Sequence, residues 1–122
     1  MGIRYLLDTN IVSKYFCNQL EENITSLIEN LVPEISVITQ IELLSYTGFS
    51  TDEISIINEF ISDAVVHELD SSVVKETVRL RRKYKIKTPD AIIAATAIIN
   101  DLHLISYDTS FKNIKGLYLV QP

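Results

Sequence analysis

Four acidic residues occupy positions at which alternating strands and helices would gather them. Asp8 follows the apolar run 3–7, Glu42 ends the segment Thr39-Gln40-Ile41-Glu42, Asp90 follows Thr88-Pro89, and Asp108 follows the apolar run 102–106. Each has an ordinary structural explanation. Asp8, Asp90 and Asp108 suit helix N-termini, and Glu42 suits a capping box with Thr39, contributions of roughly 0.3 to 2 kcal/mol each. Brought to one rim, four carboxylates repel one another and call for a positive partner. Mg²⁺ or Mn²⁺ is the natural counter-charge, because these hard ions take oxygen ligands and keep waters for substrate phosphates. The pattern is that of a metal-dependent phosphodiesterase, which needs no Ser, Cys or His nucleophile. Cys17 has no neighbouring His, and His67 and His103 read as structural or surface residues near the amino ends of strands, away from the rim. Asp101 precedes a strand and reads as a turn acid.

The elements that must position these acids follow from periodicity. Residues 3–7 form a strand stopped by Asp8-Thr9-Asn10, with a helix from about residue 10. Ile24, Leu27, Ile28 and Leu31 lie on one helical face, and Pro33 ends that helix. A second strand is expected over 35–38, then a helix opened by the Thr39/Glu42 capping box and stopped by a left-handed Gly48. Thr51-Asp52-Glu53 opens a helix with Ile54, Ile57 and Ile61 inward, and Val65-Val66 marks a short third strand. Ser71 caps the next helix, which presents Val74 and Val78 and continues through Leu80 toward Tyr84, itself expected in the core. Thr88-Pro89-Asp90 starts a helix with a capping hydroxyl, a first-turn proline and an acid at the positive dipole end. Residues 91–99 are apolar on nearly every side, so that helix should be buried. Strands over 102–106 and 117–120 complete the list. The alternation implies a parallel sheet between helical layers, a three-layer α/β/α sandwich whose site lies at the carboxyl ends of the strands.

The chain of 122 residues, 47% hydrophobic and 22% charged, is of a size for one domain spanning 1–122. No apolar run approaches a membrane span and the start lacks a signal-peptide pattern, so a soluble, cytoplasmic protein without a membrane partner is expected. A lone cysteine fits a reducing compartment. The net charge of −5 opposes a nucleic-acid partner, but six of the eleven basic residues fall within 79–87: Arg79, Arg81, Arg82, Lys83, Lys85 and Lys87. This stripe is a solvated helix face or an RNA-binding strip leading to Asp90.

Leu6-Leu7-Asp8-Thr9-Asn10-Ile11, Glu42 in its segment, Pro89-Asp90-Ala91-Ile92-Ile93-Ala94-Ala95-Thr96-Ala97 and Leu104-Ile105-Ser106-Tyr107-Asp108 resemble the four motifs of PIN-domain ribonucleases, specifically VapC toxins of toxin–antitoxin pairs. The segment around Asp90 carries most of that resemblance, which covers nearly the whole chain. It implies five parallel strands in the order 3-2-1-4-5, a homodimer, and Mg²⁺- or Mn²⁺-dependent RNA cleavage restrained by a cognate antitoxin. On this resemblance Asp8, Glu42, Asp90 and Asp108 are catalytic, metal-holding acids, supported by Thr9, Asn10 and Ser106, the last replacing the family's usual threonine. Two enzyme-like rivals fit less well. A receiver domain needs an acid pair after strand one and a Lys-Pro near the last strand, and an Asp-x-Asp phosphatase needs an acid where Asn10 stands. The rival from another class is a protein-binding module that keeps the fold without turnover.

Overall fold

The computed structural model describes residues 2–122. Its short strands send successive side chains to opposite faces, as a pleat requires. In β1 (Tyr5–Leu7), Leu6 enters one apolar cluster and Leu7 the other. The sheet continues through β2 (Glu34–Ser36), β3 (Val65–His67), β4 (His103–Ile105) and β5 (Leu119–Val120). Leu104 and Ile105 divide between the clusters just as Leu6 and Leu7 do, opposite which they lie in register. All pairings are parallel and the order is β3-β2-β1-β4-β5. Parallel pairing requires crossovers, and these place helices on both faces of the sheet.

One face is covered by α1 (Thr9–Phe16), α2 (Glu22–Glu29), α3 (Val37–Ser45) and α4 (Thr51–Asp63), which bury Ile11, Ile24, Leu43 and Ile57 against Leu7, Ile35 and Ile105. The other is covered by α5 (Ser71–Lys83) and α6 (Thr88–Ile99). Every residue from Ala91 to Ala97 is buried, as expected for a helix apolar all round. Thr96 enters that core because its hydroxyl donates to the Ile92 carbonyl at 2.7 Å.

Several local expectations are corrected. β2 ends at Ser36, whose hydroxyl accepts the Ile38 N–H at 3.1 Å and caps α3, so Val37 and Ile38 are helical. Thr39 and Glu42 therefore lie inside α3 and form no capping box. Gly48 is not left-handed; a Cβ there would meet the Tyr46 ring at 2.3 Å, so the residue is small because an aromatic lies on it. Asp70, not Ser71, caps α5 by accepting the Val73 N–H at 2.9 Å. Lys87 precedes α6 without a side-chain cap, so Thr88 supplies none, while Pro89 and Asp90 occupy the first turn as expected. Val74 and Val78 are exposed, and Val73, Thr77 and Leu80 form the buried stripe instead. Ile54 is likewise outward, although the helix start holds: Ser50 and Glu53 form the capping box of α4.

Candidate active site

β1 lies between β2 and β4, where the connections leave in opposite directions, and such a reversal opens a crevice at the carboxyl ends of the strands. Asp8 caps α1 there. Its backbone N–H donates to the Ile105 carbonyl at 3.1 Å, extending the β1–β4 pairing by one residue. Asp8 Oδ1 accepts the Thr9 N–H at 2.8 Å, and Oδ2 accepts the Ser106 hydroxyl at 2.6 Å and the Asn10 amide at 3.2 Å. Ser106 Oγ in turn accepts the Asp108 N–H at 2.9 Å, and Asn10 Oδ1 faces the Tyr107 N–H at 3.4 Å. The loop after β4 is thus tied to the start of α1 by the same residues that fix Asp8.

The other acids reach the crevice from different elements. Glu42 comes from α3, where the Thr9 hydroxyl donates to its Oε1 at 2.6 Å and lies 3.0 Å from Thr39 Oγ1. Asp90 stands in the first turn of α6, and Asp108 caps the single 3₁₀ turn Thr109–Phe111 by accepting the Ser110 N–H at 2.9 Å. All four open onto one depression of ≈ 480 Å³, together with Thr9 and Asn10; its wall also carries Ser13, Lys14 and Gln19.

Burial is the main force raising the Asp8 carboxyl to about 6, reinforced by the Asp90 and Asp108 charges and opposed by the Ser106 and Thr9 hydrogen bonds. Asp90 is also raised, by burial first and then by Asp108 and Glu42, while Lys87 pulls the other way. Among the described residues none of the four acids has an ion-pair partner. Their hard oxygen donors suit a divalent cation. Among the described residues no three His, Cys, Asp or Glu side chains are grouped so that they could hold a metal ion as they stand. An open arrangement with retained waters is what Mg²⁺ uses, so the residues fit that ion by donor type and charge rather than as a preformed chelate.

The basic stripe lies outside the depression. Its six residues are exposed, Arg79 is held by Glu76 at 2.9 Å, and Arg81 Nε donates to the Ile86 carbonyl at 3.3 Å. Lys83 sits 5.6 Å from the Tyr84 ring centroid, and Tyr84 is half-buried against the α5–α6 core with its hydroxyl accepting the Lys115 N–H. His67 closes β3 rather than opening it, and its Nε2 meets Glu34 Oε1 at 2.7 Å; His103 opens β4 and stacks on Tyr118. Asp101 occupies a turn with φ 54, as a turn acid should. Sequence reasoning missed two features. Lys14 on the site wall is signalled by its i+4 spacing from Asn10, whereas buried Glu34 carries no signal distinguishing it from a surface acid.

No helix among the described residues is long and apolar enough to cross a membrane. A comparison with curated proteins gives no match. Among solved structures, the chain is similar to one in a toxin–antitoxin complex from Klebsiella pneumoniae, at 28% identity over 95% of each chain with a TM-score of 0.79. It is also similar to a chain of VapBC2 from Rickettsia felis bound to a DNA fragment from their promoter (23% identity, 98% of this chain and 99% of that one, TM-score 0.82). A chain of DNA-bound VapBC from Salmonella typhimurium has 22% identity over 98% of both, with a TM-score of 0.84. The family model described as PIN domain matches residues 5–117, nearly the whole sheet and every acid of the crevice, and the chain belongs to the PIN-domain family.

Proposed function

We propose that this protein is the toxin of a VapC-type toxin–antitoxin pair, a Mg²⁺- or Mn²⁺-dependent endoribonuclease in which residues 1–122 act as one PIN domain. The carrying observation is Asp8. It is a carboxylate buried at the sheet's switch point, fixed by Ser106, Asn10 and the Thr9 N–H, with three further acids around the same depression and no cationic partner among the described residues. Asp8, Glu42, Asp90 and Asp108 would hold the ion. When bound, it supplies Lewis-acid activation of water and neutralises charge at the scissile phosphate. Thr9 orients Glu42 through its hydroxyl, Ser106 holds Asp8 ionised, and Asn10 couples Asp8 to the loop carrying Asp108. The similar toxin–antitoxin structures support a cognate antitoxin as partner, and the family resemblance supports a homodimer acting on RNA in the cytoplasm. The basic stripe from Arg79 to Lys87 remains an outer RNA-binding strip in this reading, beyond the rim.

The test compares wild type with Asp8→Asn on a pool of structured RNAs with Mg²⁺, Mn²⁺ or chelator, after circular dichroism shows both folded. Cleavage by wild type alone, abolished by chelator and reduced at least about 1,000-fold by the substitution, is expected. A wild type that cleaves nothing and binds neither ion leaves Asp8 and Asp108 as caps and Asp90 as a first-turn acid, and the non-catalytic binding module becomes the better reading.

A further inference from the structure

The depression that gathers the acids has one basic residue in its wall, Lys14. It lies one helical turn after Asn10 on α1, so both side chains face the crevice. The ammonium sits 5.2 Å from the centroid of the Tyr107 ring. Tyr107 is itself held at both ends: its hydroxyl donates to Glu21 and its backbone N–H faces Asn10 Oδ1 at 3.4 Å. An aromatic face steadies a cation without neutralising it. Lys14 has no ion-pair partner within 4.0 Å among the described residues, even with four carboxylates on the same depression. Glu21, whose carboxyl feels the Lys14 charge, is engaged by the Tyr107 hydroxyl.

A polyanion entering a depression walled by acids meets repulsion, and a cation fixed at the rim gives it a place to dwell. None of the stripe residues over 79–87 lines the depression, although Lys87 lies near enough to act on the Asp90 charge. We infer that Lys14, seated on Tyr107, binds a backbone phosphate of the RNA beside the scissile bond and holds the strand over the acids. This assignment rests on the ribonuclease reading above. Lys14 is a positioning residue that handles substrate, with no part in holding the ion. A compact ammonium on a flexible stem suits a phosphate whose neighbours vary in sequence.

The experiment uses Lys14→Met, which keeps the stem on Tyr107, and Lys14→Arg, which keeps the charge. Cleavage kinetics are measured in the otherwise wild-type protein, and RNA binding across a salt series in the Asp8→Asn background, with the same pool of structured RNAs. Lys14→Met should raise KM and weaken binding about 5- to 10-fold, and flatten the plot of log affinity against log salt by about 0.7 to 0.9, one phosphate's worth. It should change kcat far less, Lys14→Arg should restore both readouts, and Mn²⁺ affinity should be unaltered. An active enzyme whose KM and salt slope survive Lys14→Met overturns the assignment and leaves the ribonuclease reading standing. Reduced Mn²⁺ binding in Lys14→Met also overturns it, because the lysine would then act on the acids. A wild type that cleaves no RNA with either ion overturns both.

Discussion

Asp8 and Glu34 are equally hidden, each 5% exposed, on neighbouring strands: Glu34 opens β2 opposite Leu6, and Asp8 follows the carboxyl end of β1. Glu34 begins β2 and is met by Arg4 Nε at 2.9 Å, Arg4 Nη2 at 2.6 Å and His67 Nε2 at 2.7 Å. Burial works against its ionisation, but the hydrogen bonds and charges of Arg4 and His67 prevail and hold the carboxyl below its ordinary range. Asp8 follows β1 and is surrounded by neutral donors and other acids, so burial and repulsion leave it at about 6. One buried carboxylate is paired within the chain; the other has no positive partner among the described residues. Pairing, rather than burial, separates the structural acid from the one proposed to act at the site.

Removing the charge from each acid should therefore have opposite consequences for stability. Glu34→Gln should lower unfolding free energy by about 2 to 3 kcal/mol, because Arg4 and His67 lose a buried partner; the solvent exposure of Arg4 keeps the loss from being larger. Cleavage per folded molecule should persist. Asp8→Asn should raise the stability of metal-free protein at pH 7 by about 1 to 3 kcal/mol while abolishing cleavage. Urea unfolding of both variants decides the matter, and losses of similar size at the two sites would erase the distinction.

The pH dependence should diverge in the same sense, within the same few kcal/mol. Asp8 has a folded-state pKa of about 6 against 3.8 for the free side chain, so the folded state binds the extra proton between those values. Its effect is to make metal-free protein less stable as pH rises through that window, levelling off above about 6. Glu34 is shifted downward, so its contribution is intact above the ordinary carboxylate value and lost as pH falls through its folded-state pKa. The gap between wild type and Asp8→Asn should grow with pH, and that between wild type and Glu34→Gln should shrink on acidification. The smallest effect is expected from Ser106→Ala. Loss of a hydroxyl that favours ionised Asp8 should push its carboxyl further up in metal-free protein, as an NMR titration reads it, and Ser106→Thr should leave it in place.

The placement of Asp8, Asp90 and Asp108 beside strand and helix ends was legible because apolar runs and helix-start residues surround them. The strand order came from the family resemblance, since spacing alone leaves it open. The start of α3 was not legible: Val37 and Ile38 are β-branched and follow a three-residue strand, so nothing local separates strand from helix until Ser36 is seen capping it. The face of α5 was misread for a chemical reason. Val74 and Val78 look like the apolar stripe, but Thr77 takes the buried place by donating its hydroxyl to the Val73 carbonyl at 2.7 Å. Lys14 on Tyr107 and Glu34 on Arg4 and His67 are contacts between residues far apart in sequence, and no periodicity encodes them.

The bond from Ser106 to Asp8 spans 98 positions of the chain. β1 is the central strand, yet one of its two neighbours, β4, lies far along the chain from it. Until that strand pairs with β1, Asp8 lacks the hydroxyl that steadies it. Closing so long a loop carries an entropic cost that must be met before the contact forms. The acidic centre therefore cannot assemble until β4 has paired with β1.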